Sequence, residues 1–174
     1  MIYDVIVIGG GHAGIEAAVM SSRIGANVAI VTFSSNDIGV MSCNPAMGGL
    51  GKGHLIREID AMGGIIGRAS DLSGIQFRML NKTRGPAVQG PRAQIDRNKY
   101  KKYVRELINE DSVSIIEDEV VNILTEIGTY EESVIGIETV KKGIIKCKSI
   151  IVTTGTFLSG KIYKGSETWD AGRY

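Results

Sequence analysis

Apolar residues fall into two kinds of pattern near the start of the chain, and together they predict an α/β unit. Residues 5–8 and 28–31 are short, wholly apolar runs rich in β-branched side chains, which are typical of strands buried on both faces. Residues 15–20 between them begin a helical pattern of small and apolar side chains. The order strand, helix, strand predicts a βαβ unit over residues 1–36.

Further along the chain, the helical pattern returns once and then gives way to strand patterns. A helix is predicted over residues 94–110, where apolar side chains recur at helical spacing. Residues 113–148 are predicted to form a parallel strand and then an antiparallel β-meander. The predicted strands are 113–116, 120–127, 134–140 and 144–148, with turns at 128–130 and 141–143.

The two remaining segments are predicted from their turn residues and their apolar ends. Residues 37–93 are predicted to be glycine-rich and basic loops, interrupted by a short helix over about 55–62. Residues 149–174 are predicted to hold one more buried strand, 150–155, which ends in a glycine turn, and then an incomplete continuation of the fold.

A glycine-rich turn separates the first strand from the first helix, and its spacing is that of a dinucleotide-binding fingerprint. Gly9 allows a tight turn out of the strand, and Gly11 lets the backbone approach a pyrophosphate closely. Gly14 lets the helix pack tightly on the strand. The N–H groups at the start of the helix would then face the phosphates. The predicted binding residues are Gly9, Gly10, Gly11, His12, Ala13 and Gly14.

The turn alone does not decide between FAD and NAD. The acidic residue expected after the second strand is missing before Asp37, so neutral acceptors such as Thr32 or Ser34 are the candidates for a ribose hydroxyl. A Rossmann unit, a β-meander and a strand ending in Thr-Gly follow the plan of the two-dinucleotide-binding flavoproteins. That order favours FAD.

Charge is balanced over the whole chain but not along it. The 174 residues carry 20 basic and 19 acidic side chains. Residues 78–105 hold nine basic side chains and one acid, whereas residues 106–140 hold ten acids and no lysine or arginine. The basic segment is either a polyanion-binding face or a solvated helix surface. Its best candidates for phosphate contacts are the helical row Arg97, Lys101 and Arg105.

The cysteine content and the apolar runs exclude several classes of protein. Two cysteines give no disulfide framework and indicate a reducing compartment. Neither cysteine pairs with a histidine at metal-ligand spacing, so no metal site is predicted. No apolar run approaches the ~20 residues of a membrane span, and a strand begins at once, which leaves no signal peptide. A cytoplasmic protein is expected.

Cys43 lies in the glycine-rich stretch and is the only candidate for a catalytic side chain. A thiol there is a nucleophile or a redox group if a nearby charge favours its thiolate. Otherwise it is a buried and inert cysteine, which is the more common case.

The longer motifs of the chain resemble the MnmG (GidA) family of tRNA uridine 5-carboxymethylaminomethyl modification enzymes. The resemblance covers essentially the whole chain. It rests on GGGHAG at 9–14 followed by EAA, MSCNPA at 41–46, GGLGKGHL at 48–55, GIQFR at 74–78, LN at 80–81, GPAV at 85–88, RAQ at 92–94, DR at 96–97 and GTFL at 155–158.

This resemblance implies an FAD enzyme that acts with a GTPase partner, MnmE, on the wobble uridine of tRNA. It further implies NADH as reductant, a folate one-carbon donor and a homodimer in the full-length family. By position, residues 9–14 would hold the FAD pyrophosphate, and Val121 in the meander would contact the adenine side through its backbone. Cys43 would lie near the flavin, as nucleophile or as structural residue.

Family members are several times longer than this chain, which is therefore expected to be a truncation or a relic. Its local function would be cofactor binding. Two rival interpretations are the related folate- and FAD-dependent tRNA uridine methyltransferase, against which the Ser-Cys-Asn-Pro-Ala loop argues, and a non-catalytic FAD-binding fragment.

Overall fold

The arrangement of strands and helices follows from a computed structural model that describes residues 2–128, 131–170 and 172. The strands are β1 (Tyr3–Ile8), β2 (Val28–Thr32), β3 (Ala46–Gly48), β4 (Gly74–Leu80), β5 (Gly90–Ile95), β6 (Ser114–Glu117), β7 (Val120–Ile127), β8 (Glu132–Thr139), β9 (Gly143–Val152), β10 (Lys161–Lys164) and β11 (Glu167–Asp170). The helices are α1 (His12–Arg23), α2 (Lys52–Ala61), α3 (Ile66–Ser73) and α4 (Arg97–Glu110), with 3-10 turns at Ser35–Asp37 and Pro86–Val88.

The main sheet has six strands in the order β6-β2-β1-β9-β8-β7. The pairs β6-β2, β2-β1 and β1-β9 are parallel, whereas β9-β8 and β8-β7 are antiparallel. The sheet therefore joins a parallel, Rossmann-like half to a meander through β9. The predicted α/β class, with a Rossmann-like domain and an inserted antiparallel β-meander, is confirmed.

The centre of β1 and all of β2 are buried on both faces, as their continuous apolar runs predict. One face packs against α1 and α4, and its fully buried side chains include Val7, Ile15, Val19, Ile30, Tyr100, Val104 and Ile108. The other face packs against side chains of the meander, and this cluster is Ile6, Ala29, Val31, Ile116, Ile137 and Cys147. The meander thus completes the core of the Rossmann half.

Strand β9 differs from the sequence prediction of separate strands at 144–148 and 150–155. It is one continuous strand that pairs with β8 at its start and with β1 at its end. Ser149, which falls between the two predicted strands, lies within β9 opposite Val5. Because a central strand can have a different partner on each side, no turn is needed where the pairing changes.

Residues 37–93 also differ from the predicted loops. They contain α2, α3 and most of a three-stranded antiparallel sheet of order β3-β5-β4. Its strands escaped prediction because β4 is largely exposed on both faces and because β5 begins with Gly90 and Pro91, which normally mark turns. Helix α4 starts at Arg97 and not at residue 94 as predicted, because residues 94 and 95 belong to β5 and Asp96 caps the helix.

Some predictions concern parts of the chain outside the described residues. Thr129 and Tyr130 of the predicted turn 128–130 are among these. Within the described ranges, none of the helices combines the length and apolar character that crossing a bilayer would demand.

Candidate functional site

The candidate site lies where β1, β2 and β9 end, at the carboxyl edge of the parallel strands. The chain leaves β1 through α1 to β2 on one side, while β9 pairs with β1 on the other. This reversal of strand order is the topological switch point at which open α/β sheets bind ligands. The Gly9 N–H donates to Val31 O at 2.9 Å, and the Thr153 N–H donates to Ile8 O at 2.9 Å. The three strand ends are therefore held together by backbone hydrogen bonds.

Two glycines of the turn are required by close backbone contacts. Gly9 has a φ of +111°, and a Cβ there would lie 2.5 Å from Thr153 O. A Cβ at Gly14 would lie 2.0 Å from Gly9 O, which no side chain tolerates. These distances agree with the packing roles predicted for both residues. Gly10 is buried, and a Cβ there would lie 3.2 Å from Thr32 Oγ1.

Gly11 differs from the other three glycines of the turn because open space lies where its side chain would be. It is the N-cap of α1 with an ordinary φ of −76°, and a Cβ there would meet nothing within 4 Å. The first N–H groups of α1, which include those of His12 and Ala13, have no carbonyl of a preceding turn to bind. They and the positive end of the helix therefore face open space that an anion can fill. The turn fits the pyrophosphate of a dinucleotide.

The side chain of His12 points away from this space. Its ring lies 5.6 Å from that of Tyr100, centroid to centroid, and His12 Nε2 and Tyr100 OH are both buried with no hydrogen-bond partner among the described residues. Desolvation lowers the pKa of His12, and the charge of Lys52 adds to this effect. His12 is therefore neutral at pH 7 and can contribute its backbone N–H, not a charge, to an anion.

No acidic residue lies between the end of β2 and Asp37, but β6 brings Glu117 to this segment. Of the two neutral candidates for a ribose hydroxyl, Thr32 is buried, and Ser34 Oγ accepts a hydrogen bond from Asn36 N at 3.2 Å. The carboxylate of Glu117 accepts a hydrogen bond from Ser35 N at 2.6 Å, and hydrogen bonds from the side chain and then the backbone of Ser35 lower the pKa of Glu117. Sequence reasoning missed Glu117 because it searched only after β2, although β6 was predicted to return to the same sheet.

Val121 lies at the start of the meander, near the same edge of the sheet. The N–H of Asp118 donates to Thr32 O at 2.9 Å, which brings the beginning of β7 next to the end of β2. The pairing of β7 with β8 shifts between Val120 and Asn122, so Val121 occupies a β-bulge. A bulged residue is left out of the ladder, and its backbone polar groups can therefore contact a ligand. The assignment of Val121 to an adenine site stays a prediction.

Cys43 lies in a segment whose carbonyl oxygens are held by hydrogen bonds. Arg97 Nη2 donates to Cys43 O at 2.7 Å, and the Ile95 N–H donates to Pro45 O at 2.8 Å. Lys52 Nζ donates to Ala46 O at 2.8 Å. The Cys43 side chain itself is exposed and lines a cleft of about 370 Å³ together with Lys52 and Arg92. The buried, inert alternative therefore does not apply to Cys43, whereas Cys147 is buried.

In the row Arg97, Lys101 and Arg105, which was predicted to contact phosphates, two side chains instead bind groups of the protein. Arg97 binds the Cys43 carbonyl, and Arg105 Nη2 donates to Ser35 O at 2.6 Å and to Asn36 Oδ1 at 3.4 Å. Two of the three residues therefore hold the segment between β2 and β3 against α4. Among the described residues, no group of three histidine, cysteine, aspartate or glutamate side chains is arranged to bind a metal ion.

Comparison with known proteins gives a family model and curated relatives that match nearly the whole chain. The model of glucose inhibited division protein A matches residues 4–174. The tRNA uridine 5-carboxymethylaminomethyl modification enzyme MnmG of Campylobacter fetus is 48% identical over 174 residues, and that of Granulibacter bethesdensis is 51% identical over 172 residues. The matches cover 99% and 98% of this chain, but only 27% of each relative. The chain thus spans about a quarter of the length of these relatives.

Solved structures agree with this comparison. GidA of Aquifex aeolicus superposes with a TM-score of 0.90 at 47% identity, over 99% of this chain and 28% of that one. The GidA-related protein of Thermus thermophilus superposes with a TM-score of 0.63 at 16% identity, over 99% of this chain and 62% of that one. The second likeness shows a shared fold alone.

Proposed function

The chain belongs to the glucose inhibited division protein A (GidA) family, and from this membership we propose that it is the FAD-binding N-terminal part of a tRNA-modifying flavoenzyme. One observation supports the cofactor most strongly. The open space in front of Gly11 lies at the start of α1, at the switch point of the parallel sheet. A dinucleotide pyrophosphate requires these features together.

We assign the cofactor contacts residue by residue. The backbone of Gly9, Gly10, Gly11, His12, Ala13 and Gly14 would hold the pyrophosphate, and the bulged backbone of Val121 would contact the adenine side. When bound, FAD would supply redox chemistry. The imidazole of His12 is neutral and points away from the phosphate position, and the glycines have no side chains. Neither would therefore place a charge or side-chain atoms at that position, which leaves the helix N–H groups to bind the phosphate.

The activity proposed for the longer protein is modification of the wobble uridine of tRNA. This proposal is supported by relatives that are 48–51% identical to the chain. They share the name tRNA uridine 5-carboxymethylaminomethyl modification enzyme. The GTPase partner MnmE, NADH, a folate one-carbon donor, a homodimer and a cytoplasmic location belong to the same proposal. We propose Cys43 as the candidate reactive thiol, because it is exposed beside Lys52 in the cleft.

The test of cofactor binding is the visible absorbance of the purified chain after incubation with FAD and desalting. We expect a flavin spectrum, with FAD identified as the released compound. A colourless protein, or release of a different nucleotide, would contradict the proposed site on this chain. A flavin-bound chain without turnover on tRNA would assign cofactor binding to these residues and the chemistry to the longer protein.

Gly11→Val makes the test specific to the turn. The new side chain enters the space proposed for the pyrophosphate, and its Cβ meets no protein atom within 4 Å, so we expect a folded chain that no longer retains FAD. Gly85→Val is the matched control, since a Cβ there also meets nothing within 4 Å and Gly85 lies outside the turn. Retention of FAD by Gly11→Val would refute the assignment of the turn.

A further inference from the structure

The three-stranded sheet places two arginines directly opposite each other. Arg92 on the central strand β5 pairs with Arg78 on β4, and its partner on β3 is Gly48. Directly opposed residues have Cβ atoms about 4.5–5.5 Å apart, and like charges at such positions are destabilising. Among the described residues, neither arginine forms an ion pair with a carboxylate. The sheet therefore carries two opposed cations that form no direct ion pair with a carboxylate of the described residues.

Lys52 extends the same cluster from the start of α2. It lines the Cys43 cleft together with Arg92, and no acidic residue lines that cleft. Partial desolvation and the charge of Arg92 both lower the pKa of Lys52. One Lys52 hydrogen binds Ala46 O, which leaves two donors of the ammonium group for another acceptor.

Arg92 connects this cleft to a second one of about 440 Å³. The second cleft is lined by Arg57, Arg78 and Arg92, against Asp60 and Asp71. Cationic side chains therefore continue from Lys52 through Arg92 to Arg78. A small anion would occupy one cleft only, whereas a nucleic-acid strand carries a negative charge at every nucleotide and can contact the whole series.

We propose that Lys52, Arg92 and Arg78 bind backbone phosphates of a single-stranded segment of RNA beside the Cys43 thiol. The proposal rests on the tRNA-modifying function proposed above and assigns the phosphate contacts to the sheet. The basic row of α4 is the weaker candidate, because Arg97 and Arg105 are already bound to backbone carbonyls of the preceding segment.

The test compares two double variants that each remove two positive charges. Binding of a fluorescein-labelled RNA stem-loop with unpaired uridines is measured by anisotropy over a range of salt concentrations. Arg78→Gln with Arg92→Gln should weaken binding roughly tenfold at low salt, and should reduce the slope of log K against log salt by about 0.7 for each lost contact. Lys99→Gln with Lys101→Gln on α4 should have the smaller effect on both quantities.

Alkylation of Cys43 by iodoacetamide locates the bound RNA. Saturating RNA should slow the reaction of Cys43, with the buried Cys147 as the unreactive reference. The arginine double variant should lose this protection and still fold, since removing the opposed charges relieves a repulsion. Equal weakening in both double variants, no RNA binding by the unchanged chain, or bound RNA that leaves Cys43 unprotected would overturn the proposal.

Inorganic pyrophosphate and FAD are used as competitors to distinguish a small phosphate ligand from RNA in the cleft. Inorganic pyrophosphate or FAD that protects Cys43 where RNA does not would assign the cleft to a small phosphate ligand and overturn the RNA assignment. The Gly11→Val chain should lose FAD and still bind RNA. Failure of the cofactor proposal is therefore seen in the flavin spectrum, and failure of the RNA proposal is seen in the anisotropy and alkylation.

Discussion

The glycine turn of the Rossmann half and the segment that carries Cys43 are both rich in glycine, but the structure holds them in different ways. Around the turn, Gly9 and Gly14 are enclosed by backbone atoms, and the strands that meet there are buried on both faces. Around Cys43, the neighbouring strand β4 is largely exposed, with Ile75 64% and Phe77 61% accessible. The backbone of the Cys43 segment is held by Arg97 and Lys52, which bind the carbonyls of Cys43 and Ala46.

In the proposed function, this difference distinguishes the position of the cofactor from the position of the candidate thiol. Apolar packing on both faces of a sheet fixes the turn, and among the glycines of the turn only Gly11 faces open space. A few charged hydrogen bonds fix the Cys43 segment, and each contributes only about 0.5–3 kcal/mol. We therefore expect substitutions in the turn to affect the whole fold, and substitutions around Cys43 to act locally.

The largest effect is expected from the same substitution made in both regions. Gly14→Val places a Cβ 2.0 Å from Gly9 O, and Gly48→Val places one 2.1 Å from Pro91 O. The first should lower the free energy of unfolding by about 4 kcal/mol or more, because the buried core of the Rossmann half must separate. The second should cost about 1–2 kcal/mol, since the short strand β3 can move away. Urea denaturation followed by circular dichroism measures both; equal losses would make the three-stranded sheet as integral to the fold as the turn.

An intermediate effect is expected at Glu16, which connects α1 to the start of α3. Its buried carboxylate on α1 accepts hydrogen bonds from Ile65 N at 2.9 Å and Ile66 N at 2.6 Å, at the start of α3. Glu16→Ala leaves both donors buried without a partner, so we expect a loss of about 2–3 kcal/mol in the same denaturation measurement. Glu16→Gln keeps one acceptor oxygen and should lose about half as much. If the alanine variant is as stable as the glutamine variant, the carboxylate does not hold α3.

Sequence reasoning succeeded for the first region because its signals are local. Apolar runs, the glycine spacing and the β-meander each lie within a short stretch, and they predicted the Rossmann half, the turn and the meander. It could not predict the second region, where the decisive contacts join residues far apart in sequence. Glu16 binds α3, Glu117 binds Ser35, and Arg97 binds Cys43. A charged side chain that binds a backbone carbonyl or N–H leaves no periodic pattern.

The smallest effect is expected at Arg97, where the comparison predicts a local change without a global one. Arg97→Gln removes a charged donor to Cys43 O from an exposed position, so the free energy of global unfolding should change by less than about 1 kcal/mol. Local opening of the Cys43 segment should become roughly two- to fivefold more frequent, which is what loss of one hydrogen bond of about 0.5–1 kcal/mol allows. Hydrogen exchange of a peptide spanning residues 38–46 measures this opening. Lys101→Gln, on the same helix and with the same loss of charge, should leave the exchange unchanged, whereas Arg97→Lys should restore part of the protection. Faster exchange throughout the Arg97→Gln chain would mean that the Cys43 segment supports the whole fold, and the contrast between the two regions would fail.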